Sequence, residues 1–244
     1  MGKKMKTRSQ RRKTSSVLSE MEGILPFNLH LTEFKKIAYR VQLLERSDRR
    51  RLLSLCEMAF TELDLRKDEP TRVAAAKVIV ALVPDSVDAI RRWINTKSGK
   101  DIYEVHFSLF CFLDDVPDLP GGREFATEIP SLIEKYLLKA KSDSAYAAWM
   151  AGDLLGDHWE TIEALPILVK AAQEARFVAG RESAIHGLAH ILNNLPKSDP
   201  TTKSIITLLR EISKSDRSEN VKAAARVALE TGCGRRRTNK KGRA

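Results

Sequence analysis

The chain has 244 residues, of which 43% are hydrophobic and only 6% aromatic, enough for one large domain or two small ones. Its formal charge of +10 lies in its ends: residues 1–16 hold seven Lys/Arg and residues 235–244 hold six, with no acid in either, so the body between them is net negative. Three scattered cysteines, Cys56, Cys111 and Cys233, exclude a disulfide framework and a Cys-x-x-Cys zinc site, and no apolar stretch approaches the ~20 residues of a membrane span.

In chain order, residues 1–16 carry one sign of charge and little to bury, which reads as a disordered basic tail. From there to residue 234 the apolar spacing is helical. "LTEFKKIAYRVQLLER" starts behind Thr32 as N-cap, and "DRRRLLSLCEMAFTEL" follows a break at Ser47-Asp48. "PTRVAAAKVIVALV" pairs with "SVDAIRRWI", capped by Asp85 or Ser86. "IYEVHFSLFCFL" pairs across "DDVPDLPGG" with "FATEIPSLIEKYLLKA". "AYAAWMAGDLL" pairs with "ETIEALPILVKAAQEA", whose Pro166 belongs in a first turn or at a kink. "ESAIHGLAHILNNL" pairs with "TTKSIITLLREIS" behind an Asp199 cap and Pro200, and "ENVKAAARVALE" is a last single helix. Residues 235–244 form a second disordered basic tail.

The first helices of these pairs echo one another. "AAAKVIVAL" at Ala74, "VHFSLFCFL" at Val105, "AAWMAGDLL" at Ala147, "AIHGLAHIL" at Ala184 and "AAARVALE" at Ala223 are spaced 31, 42, 37 and 39 residues apart. Pro130 and Pro166 sit at matching points of two second helices, 36 apart. A period near 40 with two helices per unit resembles HEAT repeats of the short bacterial style, also seen in PBS-lyase-like repeats. The resemblance covers residues 70–232, with 31–69 as a degenerate first repeat. It implies an all-α fold: a right-handed, armadillo-like α-α superhelix of about five helix pairs filling residues 17–234. Such a fold does not fix a function; the function expected first is a non-enzymatic scaffold whose stacked second helices line a concave groove for a protein partner.

Candidate binding residues fall in two groups. Arg49, Arg50 and Arg51 make a basic helix start, and Arg91, Arg92 and Trp93 end a second helix; both suit an acidic partner or phosphate. Trp149 and Asp153 lie one turn apart, with Trp159 just beyond. HEAT-like alkylpurine DNA glycosylases use tryptophans and a carboxylate in this way, but "AAWMAGD" lacks their Asn-Trp-Asp pattern, so Asp153 is expected not to be catalytic. His186 and His190 share a helix face at a spacing that suits a metal. They lack the His-Glu pairs of the iron-binding HEAT-repeat hydroxylase, so they are expected at the polar edge of a packed helix, and no metal or cofactor is expected. Asp114, Asp115 and Asp118 read as a solvated loop because the EF-hand spacing is missing.

No Gly-rich phosphate loop, nucleophile elbow or Ser/His/Asp order is present, so no enzyme class is supported. The alternative to a protein scaffold is nucleic-acid binding through the tails and the basic N-terminal repeats, and the second alternative is a HEAT-like alkylpurine DNA glycosylase. The expected location is cytoplasmic, because no apolar signal-peptide core follows the basic N-terminus; a nuclear address is the other use of such tails.

Overall fold

The computed structural model describes residues 17–62, 68–96 and 101–232, and among them every regular element is a helix. Both expected tails lie outside the described residues. The chain divides into two compact units, residues 1–129 and 130–244.

In the first unit a helical segment at 17–24 (α1) precedes α2 (Phe34–Gln42), α3 (Arg46–Glu62), α4 (Glu69–Ala81), α5 (Val87–Asn95), α6 (Ile102–Phe110) and α7 (Gly122–Ala126). Helix α4 opens at Pro70 and buries ten of its thirteen residues, Ala74, Ala75 and Ala76 among them. It packs against α2, α3 and α6, and its small side chains allow that close approach. Two cations inside it are fully employed. Lys77 Nζ donates to the carbonyls of His30 (2.9 Å) and Thr32 (2.8 Å), closing the loop before α2. Arg72 Nη1 meets Glu104 at 2.8 Å and its Nε donates to Ser108 Oγ at 2.9 Å, tying α4 to α6.

Three local expectations are corrected. The turn before α3 falls at residues 43–45, where the Leu43 and Leu44 amides donate back to Arg40 and Val41; Ser47 and Asp48 lie inside the first turn of α3, where an acid favours the helix dipole. Glu33, not Thr32, stands at the N-cap of α2. "FATEIPSLIEKYLLKA" is broken at Thr127-Glu128 into α7 and α8 (Ile129–Leu137), because Pro130 has no N–H to continue a helix and suits a first turn.

The second unit holds most of α8, then α9 (Ala145–Asp153), one π-helical turn (Leu154–His158), α10 (Thr161–Glu174), α11 (Val178–Asn194), α12 (Pro200–Ser215) and α13 (Glu219–Gly232). Helix α11 buries eleven of its seventeen residues and packs against α9, α10 and α13. Asp199 caps α12 as expected, accepting from Thr201 N at 2.8 Å. Pro166 is the sixth residue of α10, beyond its first turn, so its surroundings differ from those of Pro130.

Side-chain contacts join residues about one repeat apart. Lys170 meets Glu134 at 2.7 Å across 36 residues, and Asn194 donates to Asp157 across 37. Arg181 Nε lies 3.0 Å from Asp216 Oδ2 and Nη2 donates to Asp216 Oδ1 across 35. In the first unit Arg91 donates to Glu128 across 37. Such a register is compatible with a helical repeat, in which each unit touches its neighbours at equivalent positions.

Candidate metal centre and groove

Asp153 ends α9, and His186 and His190 lie on consecutive turns of α11. The crossing of these helices is glycine-bound. A Cβ on Gly152 would overlap the Ser183 carbonyl, and one on Gly156 would overlap the carbonyl of Gly187. Only hydrogen at these positions lets the backbones approach so closely, and a short Asp side chain then reaches the imidazoles.

The three side chains meet at their polar tips. Asp153 Oδ1 lies 3.0 Å from His190 Nε2 and 3.4 Å from His186 Nε2, and the two Nε2 atoms are 3.1 Å apart. Behind them, His190 Nδ1 lies 2.8 Å from Asp157 Oδ2, while Asn194 Nδ2 donates to Asp157 Oδ1 at 3.2 Å. Asp157 belongs to the π-helical turn that follows α9, and it and Asp153 reach opposite ring nitrogens of His190. Trp149 stacks on His186 with ring centroids 4.5 Å apart and on Tyr146 at 6.4 Å. A hydrogen bond from His186 holds the Asp153 carboxyl below its usual range, the nearby charges of His190, His186 and His158 add to this, and partial burial opposes it.

His186 also lines a groove of about 550 Å³ across α9, α11 and α13. Its floor is small side chains, including Ala179, Ser183, Ala189, Ala224 and Ala228; its edges are Tyr146, Trp149 and Val227. These edges are exposed by 64%, 41% and 56%, an unusual concentration of large apolar side chains left in water at one place. Glu182 stands in the same groove, and burial raises its pKa. These are the first helices of the pairs, whereas the resemblance pointed to second helices as the groove lining.

The other sequence candidates have partners of their own or lie at the surface. Arg49 pairs with Asp85 at 2.9 Å, Arg51 with Glu20 at 3.4 Å, Arg91 with Glu128 and Asp88, and Arg92 with Glu57. Arg50 is exposed on α3. Trp93 packs edge-on against Phe60, with ring centroids 5.3 Å apart, and its carbonyl accepts from His106 Nε2 at 2.9 Å. Trp159 donates to Glu163 Oε2 at 2.8 Å and is not part of the groove lining. Trp149 and Asp153 alone of the candidate residues come together with the histidines. Asp157 and Asn194 carry no motif that marks them as ligand or orienting groups. Their signal was present as the repeat spacing: Trp149–His186, Asp153–His190 and Asp157–Asn194 are each 37 residues apart.

Among the described residues no helix is long and apolar enough to cross a membrane. Comparison with protein-family models, curated proteins and solved structures returns no match for this chain.

Proposed function

We propose that the chain is a HEAT-like helical-repeat interaction protein that receives the apolar side chains of a protein partner in the groove across α9, α11 and α13. The observation that carries this reading is the exposure of Tyr146, Trp149 and Val227 around one apolar concavity. Burying such aromatic edges is the common source of binding energy at protein interfaces. The volume is within the range of ligand pockets, and Glu182 at the wall favours a donor or cationic group on the occupant. The test is selection from a displayed peptide library. Selected peptides should carry apolar anchors and lose at least ~10-fold in affinity for Trp149→Ala, the equivalent of ~1.4 kcal/mol. Peptides that bind Trp149→Ala and the groove-filling Ala228→Trp as well as the parent protein would refute the groove.

A second reading, nucleic-acid binding by the tails, is favoured by the concentration of 13 of the 42 basic residues in 1–16 and 235–244. Four of the five candidate arginines of the body are already paired with carboxylates. Binding of a labelled oligonucleotide should therefore need the tails and weaken steeply with salt. Equal affinity and equal salt slope for a chain trimmed to 17–234 would refute this reading.

A further inference from the structure

We propose that Asp153, His186 and His190 bind one first-row divalent transition-metal ion of the zinc type, with Asp157 orienting His190 from behind. The proposal does not depend on the groove having a protein occupant.

The three edges of the donor triangle are 3.0, 3.1 and 3.4 Å. An ion with ~2.1 Å bonds sets its ligands ~3.0 Å apart on an octahedral face and ~3.4 Å apart on a tetrahedral one. The triangle is therefore the size of a coordination face without any rearrangement. The protonation pattern points the same way. A carboxylate cannot donate, so Asp157 accepts from His190 Nδ1–H, and in the neutral ring the Nε2 lone pair then faces into the triangle. That lone pair stands 3.0 Å from a carboxylate oxygen and 3.1 Å from the other imidazole nitrogen. With no ion bound, the hydrogen bond from His186 to Asp153 holds these atoms together; an ion would replace that one proton and take all three donors.

The surroundings have the features of a built site. A carboxylate behind a ligating histidine fixes its tautomer and raises its basicity, and Asn194 in turn holds that carboxylate. Trp149 fixes the plane of His186 by stacking. The glycine crossing fixes the distance between α9 and α11. The three side chains are 21–27% exposed, so an ion can enter and one or more positions remain for water or a partner's donor. Two imidazoles with one carboxylate select zinc and its first-row neighbours over magnesium and calcium, which prefer oxygen throughout.

The experiment uses the full chain stripped with a chelator and titrated with Zn(II) by calorimetry at neutral pH. One ion per chain is expected, with affinity lowered at least ~10-fold in Asp153→Asn and in His190→Gln at unchanged helical circular dichroism. Co(II) added to the parent protein should give visible d–d bands without thiolate charge transfer, which needs no variant to fold. Three results would each overturn the proposal: no heat from Zn(II) at micromolar concentration, parent-like affinity in both folded variants, or a thiolate-to-cobalt band from the cysteines. The first would mean that the hydrogen bond from His186 to Asp153 is all that holds the triangle together. Mg(II) should not compete, and competition by it would overturn the assignment of metal class.

Discussion

His190 follows Asp153 by 37 residues, and its Nε2 stands 3.0 Å from that carboxylate. Residues 37 apart lie side by side where α9 packs on α11, so the polar tip of α9 meets the polar stripe of α11. The same relation sets Trp149 on His186 and Asp157 beside Asn194. A cluster of this kind needs no special loop. It needs complementary donors at matching positions of two packed helices and glycines that let their backbones meet.

Asp157 acts on the site through His190, without touching the proposed ion. Replacing it by Ala should leave the zinc stoichiometry at one per chain and weaken affinity ~10–100-fold, the usual effect of removing an orienting carboxylate. Calorimetry on the Asp157→Ala chain checks this; unchanged affinity would mean that the 2.8 Å contact does not tune His190.

The crossing itself is testable through its glycines. Gly152→Ala sets a methyl group against the Ser183 backbone carbonyl, which cannot rotate away, and should destabilise the second unit by about 3 kcal/mol. Gly23→Ala meets nothing within 4 Å and serves as the control. Chemical denaturation of both variants gives the comparison. Equal midpoints would mean that α9 and α11 are not in backbone contact.

Arg181 is 4% exposed at its side chain, with Nη1 on the Ala175 carbonyl at 2.9 Å and its Nε 3.0 Å from Asp216. Asp216→Ala leaves that guanidinium buried without its carboxylate and also removes the acceptor of the Ser218 amide. A loss of about 3–5 kcal/mol is expected, far above the value of a surface pair. A loss below about 1 kcal/mol in urea unfolding would show that water reaches Arg181.

Burial pushes the His106 pKa down from 6.5 to about 4, against the hydrogen bond it donates to Trp93. The fold therefore holds a neutral ring where the unfolded chain takes up a proton. Its contribution is complete above pH 6.5 and is lost as pH falls towards 4, by up to about 3 kcal/mol. His106→Gln should flatten the acid limb of the stability curve across that window. Identical limbs for parent and variant, measured by urea midpoints, would place the ring in solvent.

Much of the architecture is legible because alanine-rich and proline-started segments announce buried helices directly, as α4 and α12 show. Turn positions are less so: whether Ser47-Asp48 breaks a helix or starts one depends on the amides of Leu43 and Leu44, which apolar spacing does not encode. The site is split across two helices. Trp149 and Asp153 read as one pair and His186 and His190 as another, and each pair taken alone is an ordinary helix edge. Their meeting depends on Gly152, Gly156 and Gly187, whose role as contact points emerges only when two repeats are set side by side. The π-helical turn that carries Asp157 has no sequence signature in "LLGDH".

The claim at the centre is that the α9–α11 crossing builds a cation site. Anomalous diffraction at the zinc absorption edge, from crystals of the full chain grown with Zn(II), tests it most directly. The expected result is one peak ~2.1 Å from Asp153 Oδ1, His186 Nε2 and His190 Nε2, with His190 Nδ1 still on Asp157. A triangle free of anomalous density, with zinc bound elsewhere on the chain or not at all, would contradict it.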